Sequence, residues 1–314
     1  MNNNKILGFN QFQQEREDGR TAEIIKKELL KFIDEFSATK KLHLLSRLQS
    51  AYPTESYSLE MKKIVPELED ILRKNFKDVQ KIKDPSTSVE DIKLYDILCK
   101  SYFSLQRNNL LYLMDADLVS SCIEYIRNHF LKVMEAMIKN KEIMVNDPTS
   151  PPRNLYYAES IGLIDEKKLK KIEDDFFSSI EIYFKESDLK SPKKFDNYIY
   201  FLTHIILGKV NFYTSKILSP DKRMEKILKF FEDNSERIIK ECAWDKIVEV
   251  GVCLKYTGRP TEIYKKAVKE ILNKRGIIGL GGPFKSKLEI SRNEEINKKE
   301  HSNILAVLLF SDRN

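Results

Sequence analysis

Apolar residues recur at helical spacing along almost the whole chain, and this periodicity is the strongest constraint on the fold. In the segment 21–36, TAEIIKKELLKFIDEF, they return every three or four residues and so share one helix face. Segments 168–184 and 223–239 show the same pattern, and no segment shows sustained strand alternation. Only 10 glycines and 10 prolines occur in 314 residues, too few for a chain of many tight turns. We therefore expect an all-α fold.

The predicted helices come in pairs. The first helices of the pairs are predicted at 21–36, 57–76, 116–140, 166–187, 221–238 and 260–273. The second helices are predicted at 39–51, 88–107, 150–163, 194–217, 241–257 and 299–310. This pairing predicts six helical hairpins in a single domain that spans 1–314. Residues 1–20 are predicted to be an N-terminal extension, and residues 274–298 a long loop over the mouth of a cavity.

Three of the second helices align with one another without gaps, which indicates a degenerate repeat. The aligned stretches begin DIKLYDILCK at Asp91, DNYIYFLTHI at Asp196 and DKIVEVGVCL at Asp245. Asp196 and Asp245 are 49 residues apart, and Asp91 precedes Asp196 by 105 residues, about two such periods. Hairpins of this length build either a closed α/α toroid or an open α-solenoid. Since six hairpins close the familiar toroid, an (α/α)6 toroid is the preferred prediction and the solenoid is the alternative.

The aligned second helices carry matched polar stripes, because residues four apart lie on one helix face. The stripes of the second and third aligned helices contain Asp196, Tyr200, His204, Asp245, Glu249 and Cys253. The remaining faces of these helices are mostly apolar, which is typical of buried helices. We therefore predict that the second helices form an inner ring whose stripes face a central cavity.

Glu300 and His301 lie at the start of the sixth predicted inner helix. The inner helices of a toroid run parallel, so their N-termini and free backbone N–H groups gather at one end and favour anionic ligands. The predicted site residues are Asp196, Tyr200, His204, Trp244, Asp245, Glu249, Glu300 and His301. Trp244 is the only tryptophan, and an aromatic plate beside carboxylates is a common way to hold a sugar ring.

Each of these assignments has a structural alternative. Asp196 and Asp245 would simply stabilise helix N-termini, and the same dipole effect would explain Glu300. His204, which has apolar neighbours, would be a hydrogen-bonded core histidine. Trp244 would be an ordinary core residue.

A zinc site and a phosphate site are two alternatives with little sequence support. His204, Cys253 and His301 follow one another at about one repeat, and histidine and cysteine are zinc ligands, but no short ligand spacing supports a site. The glycine-rich segment 275–287 lacks the GxxxxGK[ST] pattern of a phosphate loop, and no strand precedes it. No metal and no cofactor is therefore predicted. His43 and His129 lie in charged helical segments, which predicts surface positions.

Charge and hydropathy limit the classes of partner that the sequence predicts. The net charge of +6, from 54 basic and 48 acidic residues, is spread along the chain, whereas nucleic-acid binding needs a clustered basic patch. The longest apolar runs fall short of the roughly 20 residues of a membrane span, and the N-terminus lacks the apolar core of a signal peptide. Four cysteines without a CxxC pair favour a reducing compartment. We expect a cytoplasmic protein without nucleic-acid or membrane partners, with a specialised secretion route left open.

Three C-terminal segments carry a family resemblance. They read LTHIILGKVNFY (202–213), VEVGVCLKYTG (248–258) and KEHSNILAVLLF (299–310). They resemble an uncharacterised bacterial family, domain of unknown function 3541, over roughly the last 130 residues. Its members have a Thr-His-Ile-(Ile/Val) segment and a late Glu-His-x-Asn segment before an apolar helix, which here are Thr203–Ile206 and Glu300–Asn303.

The resemblance implies one functional constellation but no activity. The implied members are His204, Glu249, Glu300 and His301, with Asn303 as a further substrate-binding residue. Ser302 stands where an arginine is expected after the histidine, which argues against anion binding at that position.

Two functions remain open at this point. The first is an enzyme that acts on a carbohydrate or related polar substrate, with Glu249 and either Glu300 or Asp245 as general acid and base. His204 or His301 would orient the substrate or shuttle a proton. Hydrolysis, lyase chemistry and epimerisation fit equally well. The second is a helical-repeat module whose stripes line a concave surface that binds a protein or peptide without catalysis.

Overall fold

Every regular element in this computed structural model is a helix. The structure describes residues 3–275 and 292–311, and no strand occurs among them. The described α-helices are α1 (Asn3–Lys31), α2 (Ala38–Ala51), α3 (Glu55–Lys63), α4 (Val65–Val79), α5 (Val89–Arg107), α6 (Ala116–Lys139), α7 (Lys141–Asn146), α8 (Ser150–Ser160), α9 (Glu166–Tyr183), α10 (Pro192–Lys209), α11 (Lys222–Asp233), α12 (Ser235–Glu241), α13 (Trp244–Tyr256), α14 (Glu262–Arg275) and α15 (Arg292–Phe310). The prediction of an all-α fold is confirmed.

Side-chain caps set several of the helix starts. The Ser88 hydroxyl accepts a hydrogen bond from the Asp91 backbone N–H at 3.0 Å at the start of α5. At the start of α9 the Asp165 carboxylate accepts one from the Lys168 N–H at 2.8 Å. Such caps satisfy backbone donors that have no partner within the helix and each contribute about 1 kcal/mol.

Helices occur at the predicted positions, with different bounds in places, whereas their pairing into six hairpins stays a prediction. The predicted helix 221–238 is divided into α11 and α12 at Asn234, and the predicted helix 194–217 ends at Lys209, just before three residues with left-handed φ values. The predicted helix 57–76 is divided into α3 and α4, because Pro66 lies in the first turn of α4 and cannot donate to the preceding turn. The predicted extension 1–20 is helical from Asn3 and runs on within α1. Residues 276–291 of the predicted loop lie outside the described residues, while its two ends belong to α14 and α15.

The second helices pack against one another in a row that α4, one of the first helices, closes. Helix α15 packs on α2 and α13, α13 packs on α10, α10 packs on α8, and α8 packs on α5. Helix α4 packs on both α5 and α2, so that the order returns to its first member. This order encloses a space among the second helices. The assignment to an (α/α)6 toroid, and the solenoid alternative, stay predictions.

The C-terminal half of α15 is the most completely buried segment among the described residues. All seven side chains from Ile304 to Phe310 are at most 1% exposed. Their burial explains why this stretch is apolar on every side, and each Leu, Val or Phe contributes about 1.5–3 kcal/mol. None of the described helices is both long enough and apolar enough to cross a membrane.

Gly208 allows α8 and α10 to approach closely. A Cβ atom at this position would lie 2.0 Å from Cδ2 and 2.4 Å from Cγ of Tyr156. The Tyr156 ring cannot move aside easily, because it is buried and its hydroxyl donates a hydrogen bond to Glu173 at 2.7 Å. The absence of a side chain at residue 208 therefore sets the spacing of these two second helices.

We predict that Gly208→Ala lowers the free energy of unfolding by about 1–3 kcal/mol, the usual cost of overpacking. Chemical denaturation followed by circular dichroism measures the change. Gly251→Ala is the matched control, since its Cβ would lie 3.1 Å from Leu309 Cδ1 and Tyr264 Cβ, a milder crowding. A larger loss for Gly251→Ala than for Gly208→Ala would contradict this account of the packing.

Candidate functional site

A cavity of about 620 Å³ lies among the second helices, and all six of them contribute lining residues. This volume is typical of sites for small molecules. The predicted site residues Tyr200, His204, Glu249 and His301 line the cavity together, from α10, α13 and α15. The structure thus brings the stripes of three second helices to one enclosed space.

Glu300 lies behind the cavity wall and does not line the cavity. Its side chain is fully buried, and its Oε1 atom is 2.7 Å from Nδ1 of His43. Its Oε2 atom is 3.5 Å from Nζ of Lys40. Glu300 therefore acts on the cavity by holding two side chains of α2.

Asp196 on α10 and Asp245 on α13 do not line the cavity, but both lie at the N-terminus of α13. Asp196 Oδ1 accepts a hydrogen bond from the Ala243 backbone N–H at 2.7 Å. The Lys246 ammonium is 3.6 Å from Asp196 and 3.1 Å from Asp245. These contacts support the structural interpretation of both aspartates as anchors of a helix N-terminus.

Trp244 and Asn303 also lie away from the cavity lining. Trp244 is the first residue of α13 and packs, half-buried, against the hydrophobic core. Asn303 is 1% exposed within α15. Their assignment to substrate binding stays a prediction that the cavity geometry does not favour.

The Glu249 carboxyl is buried at the centre of the site. Its Oε2 atom accepts a hydrogen bond from the Thr203 hydroxyl at 2.6 Å, and Nδ1 of His204 lies 3.7 Å away. Burial raises the pKa of Glu249 to about 8, although the Thr203 hydrogen bond acts in the opposite direction. The carboxyl is therefore mostly protonated at pH 7.

A neutral imidazole faces this carboxyl. Nε2 of His301 lies 3.9 Å from Oε1 of Glu249. Both atoms are buried, and neither has a hydrogen-bond partner among the described residues. Burial, together with the nearby His43, lowers the pKa of His301 well below its ordinary value. A protonated acid and an uncharged base therefore lie side by side on the cavity wall.

His204 offers a second uncharged nitrogen to the cavity. Its Nδ1 donates to the Tyr200 backbone carbonyl at 3.0 Å, and because a carbonyl only accepts, Nδ1 must carry the proton. Burial and the charge of Arg153 lower the pKa of His204 well below its ordinary value. The neutral ring then has a free lone pair on Nε2.

Several cavity residues have no counterpart in the sequence prediction. The interpretation of His43 as a surface residue is wrong, since it lines the cavity with its ring centroid 5.2 Å from that of His301. Five basic side chains also line the cavity, namely Lys40, Arg47, Lys100, Arg107 and Arg153. The sequence gives little indication that these residues line a cavity, because basic residues in charged helical segments are normally solvated.

A strained turn after α10 completes the wall. Asn211, Phe212 and Tyr213 have φ values of 46°, 47° and 79°, in the left-handed region that bulky residues rarely adopt. Phe212 and Tyr213 line the cavity, and the Phe212 ring stacks on Tyr157 with centroids 4.2 Å apart. Backbone strain of this kind concentrates at functional sites.

The zinc interpretation gains no support. No three His, Cys, Asp or Glu side chains in the described part of the chain come together as metal ligands. Cys253 Sγ instead lies 3.6 Å from the Thr203 carbonyl oxygen.

We predict that wild type loses stability relative to Glu249→Gln as the pH rises. Between pH 4.5, the ordinary pKa of a glutamate, and about pH 8 the folded protein holds one proton more than the unfolded chain. The Glu249 contribution to stability is therefore complete below pH 4.5 and is lost as the pH rises through about 8, at up to about 1.4 kcal/mol per unit. Denaturation at pH 5, 6, 7 and 8 measures the difference between wild type and variant.

Glu124→Gln is the control, because Glu124 is exposed on α6 and its replacement changes the net charge equally. Wild type, Glu124→Gln and Glu249→Gln curves that run parallel across this range would contradict the assignment of a protonated Glu249.

Comparison with known proteins places the chain in a family. No curated protein and no solved structure matches it. A family model described as a domain of unknown function (DUF3541) matches residues 138–314. The match covers more than half of the chain, and it includes His204, Glu249 and His301 but not α2 or α5. The chain therefore belongs to the DUF3541 family.

Proposed function

We propose that the central cavity is an active site in which Glu249 and His301 transfer protons to and from a small polar substrate. The observation that carries this proposal is the pair of buried atoms, Glu249 Oε1 and His301 Nε2, without partners among the described residues. Buried polar atoms are nearly always hydrogen-bonded, so an unpaired pair on a cavity wall suggests that a ligand completes the bonding.

The pKa values of Glu249 and His301 are shifted in opposite directions, which indicates which group is the acid and which is the base. Burial raises the pKa of Glu249 and lowers that of His301, so an acid that still holds its proton faces a base that has none. Pairs of titratable groups whose environments separate their pKa values in this way supply general acid and base catalysis. Glu249 gives its proton to a substrate oxygen, and His301 accepts one from the substrate or from water.

This proton balance fits hydrolysis, lyase chemistry or epimerisation. One proton enters the substrate and one leaves it, and a return transfer restores both groups. His204 is placed to accept a hydrogen bond at Nε2 or to act as the base instead of His301. A carbohydrate or related hydroxylated compound would use the tyrosines of the wall, Tyr157 and Tyr200, as contact surfaces.

The pair differs from the two carboxylates that the sequence suggested. Both oxygens of Glu300 are engaged by α2, and Asp245 is bound to Lys246. Only Glu249 among the predicted acids lines the cavity, so a histidine takes the second role.

The interaction module is the weaker alternative. A concave surface for peptides requires exposed stripe residues, whereas Glu249 is fully buried and the cavity is of small-molecule size. No described contact favours a bound peptide over a small ligand.

We predict that Glu249→Gln and His301→Gln each slow turnover by about 100-fold or more while the protein stays folded. The assay incubates the protein in D2O with neutral sugars, sugar acids and sugar phosphates and follows product formation and deuterium incorporation by NMR. Neither variant should be more than about 1 kcal/mol less stable than wild type at pH 7, because a glutamine can keep the Thr203 hydrogen bond of Glu249 and Nε2 of His301 has no partner among the described residues.

Glu173→Gln is the structural control. Glu173 accepts from Tyr156 and pairs with Lys209 at 2.8 Å, so its replacement should cost about 1–3 kcal/mol of stability. Undiminished turnover in Glu249→Gln would refute the proposed role, and so would stability losses for Glu249→Gln and His301→Gln as large as that of Glu173→Gln.

A further inference from the structure

The charge of the cavity wall is strongly unbalanced. Five lysine and arginine side chains line the cavity, and Glu249 is the only acid among the described lining residues. Since burial raises the pKa of Glu249 to about 8, this acid contributes little negative charge at pH 7. Only acids that lie behind the wall can therefore compensate the positive charge of these side chains.

Two of the five basic groups have such partners. Nη2 of Arg153 lies 2.6 Å and 2.7 Å from the two oxygens of Asp96, a buried carboxylate. Lys40 lies 3.5 Å from Glu300. The charges of these two groups are compensated within the protein.

The other three, Arg47, Lys100 and Arg107, have no carboxylate within ion-pair distance in the described part of the chain. Nε of Arg47 and Nη1 of Arg107 are buried there without hydrogen-bond partners. Nη2 of Arg107 donates to the Phe212 carbonyl, a neutral acceptor. Lys100 is exposed and lines the cavity beside them, which places it at the opening.

Aromatic rings hold the two arginines in place. The Arg47 guanidinium lies 5.2 Å from the ring centroid of Tyr213, and that of Arg107 lies 5.6 Å from that of Phe212. Both rings belong to the strained turn after α10. Cation–π contacts orient a guanidinium but leave its net charge uncompensated.

The pKa of Tyr157 is shifted in the direction that a positive potential in the cavity causes. Burial alone would raise its pKa, yet the charges of Arg107, Arg47 and Arg153 lower the pKa below the ordinary value. Burial, followed by the charge of Glu249, instead raises the pKa of Tyr213 well above that value, although it lines the same cavity. The excess of positive charge is thus centred on the wall formed by α2, α5 and α8.

We infer that the substrate of this cavity is a small molecule with two or more negative charges, carried by phosphoryl or carboxylate groups that Arg47, Lys100 and Arg107 bind. Unpaired charges in a partly buried wall are costly, and an anionic ligand supplies the missing counter-charges. Guanidinium groups suit such ligands because they present parallel donors to two oxygens at once. This inference rests on the proposed function, since it names the substrate class of the same site.

Isothermal titration calorimetry tests the inference with pyrophosphate, citrate and sucrose as ligands. We expect pyrophosphate or citrate to bind and sucrose not to bind at the same concentration, with affinity that falls as NaCl is added. Arg47→Gln and Arg107→Gln should each weaken binding of the anion about 10-fold to 100-fold, since each removes charge-assisted hydrogen bonds. Tighter binding of pyrophosphate would identify a phosphoryl ligand, and tighter binding of citrate a carboxylate ligand.

Arg127→Gln is the matched control, because Arg127 is exposed on α6 and does not line the cavity. It should bind the anion as wild type does, and circular dichroism checks that every variant is folded. Absence of binding by both anions, equal binding of sucrose, or wild-type affinity in folded Arg47→Gln and Arg107→Gln would each overturn the inference.

The same variants separate this inference from the proposed function. Anion binding that needs Arg107, combined with turnover that survives Glu249→Gln, would reject the proton-transfer pair and keep the anion site. Turnover of a neutral sugar that depends on Glu249 but not on Arg47 or Arg107 would reject the anion site and keep the pair.

Discussion

Burial of the Glu249 carboxyl without a charged partner is the constraint on which the rest of the site depends. A carboxylate in this position would need a cation or several donors, and the Thr203 hydroxyl is its one hydrogen-bond donor among the described residues. The group therefore keeps its proton at neutral pH, and the burial that causes this also keeps His204 and His301 uncharged. An uncharged acid and uncharged bases can then lie within 4 Å of each other without forming a buried ion pair.

The fold supplies this arrangement through the spacing of the second helices. Gly208 lets α8 and α10 approach, which brings side chains from both onto the same wall. The left-handed turn at residues 211–213 then directs two aromatic rings towards the arginines of α2 and α5. The result is a cavity whose wall carries both the proposed proton-transfer pair and uncompensated positive charge.

The sequence predicted the helices and part of the site for identifiable reasons. The repeat aligned α10 with α13, and helical spacing then placed His204 and Glu249 on cavity-facing stripes that the structure shows. Asp196 and Asp245 were misleading, because an acid at the head of each aligned helix marks a helix start as readily as a site. His43, Arg47 and Arg107 were missed because their local context is that of a solvated helix. Contact between His43 and Glu300 joins residues 257 positions apart, which no local pattern reveals.

Neutron diffraction from a deuterium-exchanged crystal at pH 7 tests the central claim most directly, because it locates the protons of Glu249 and His301. The account predicts a deuteron on one carboxyl oxygen of Glu249 and singly protonated rings for His204 and His301. An ionised Glu249 beside a doubly protonated His301 would contradict it, since the two would then form a buried ion pair rather than an uncharged acid and base.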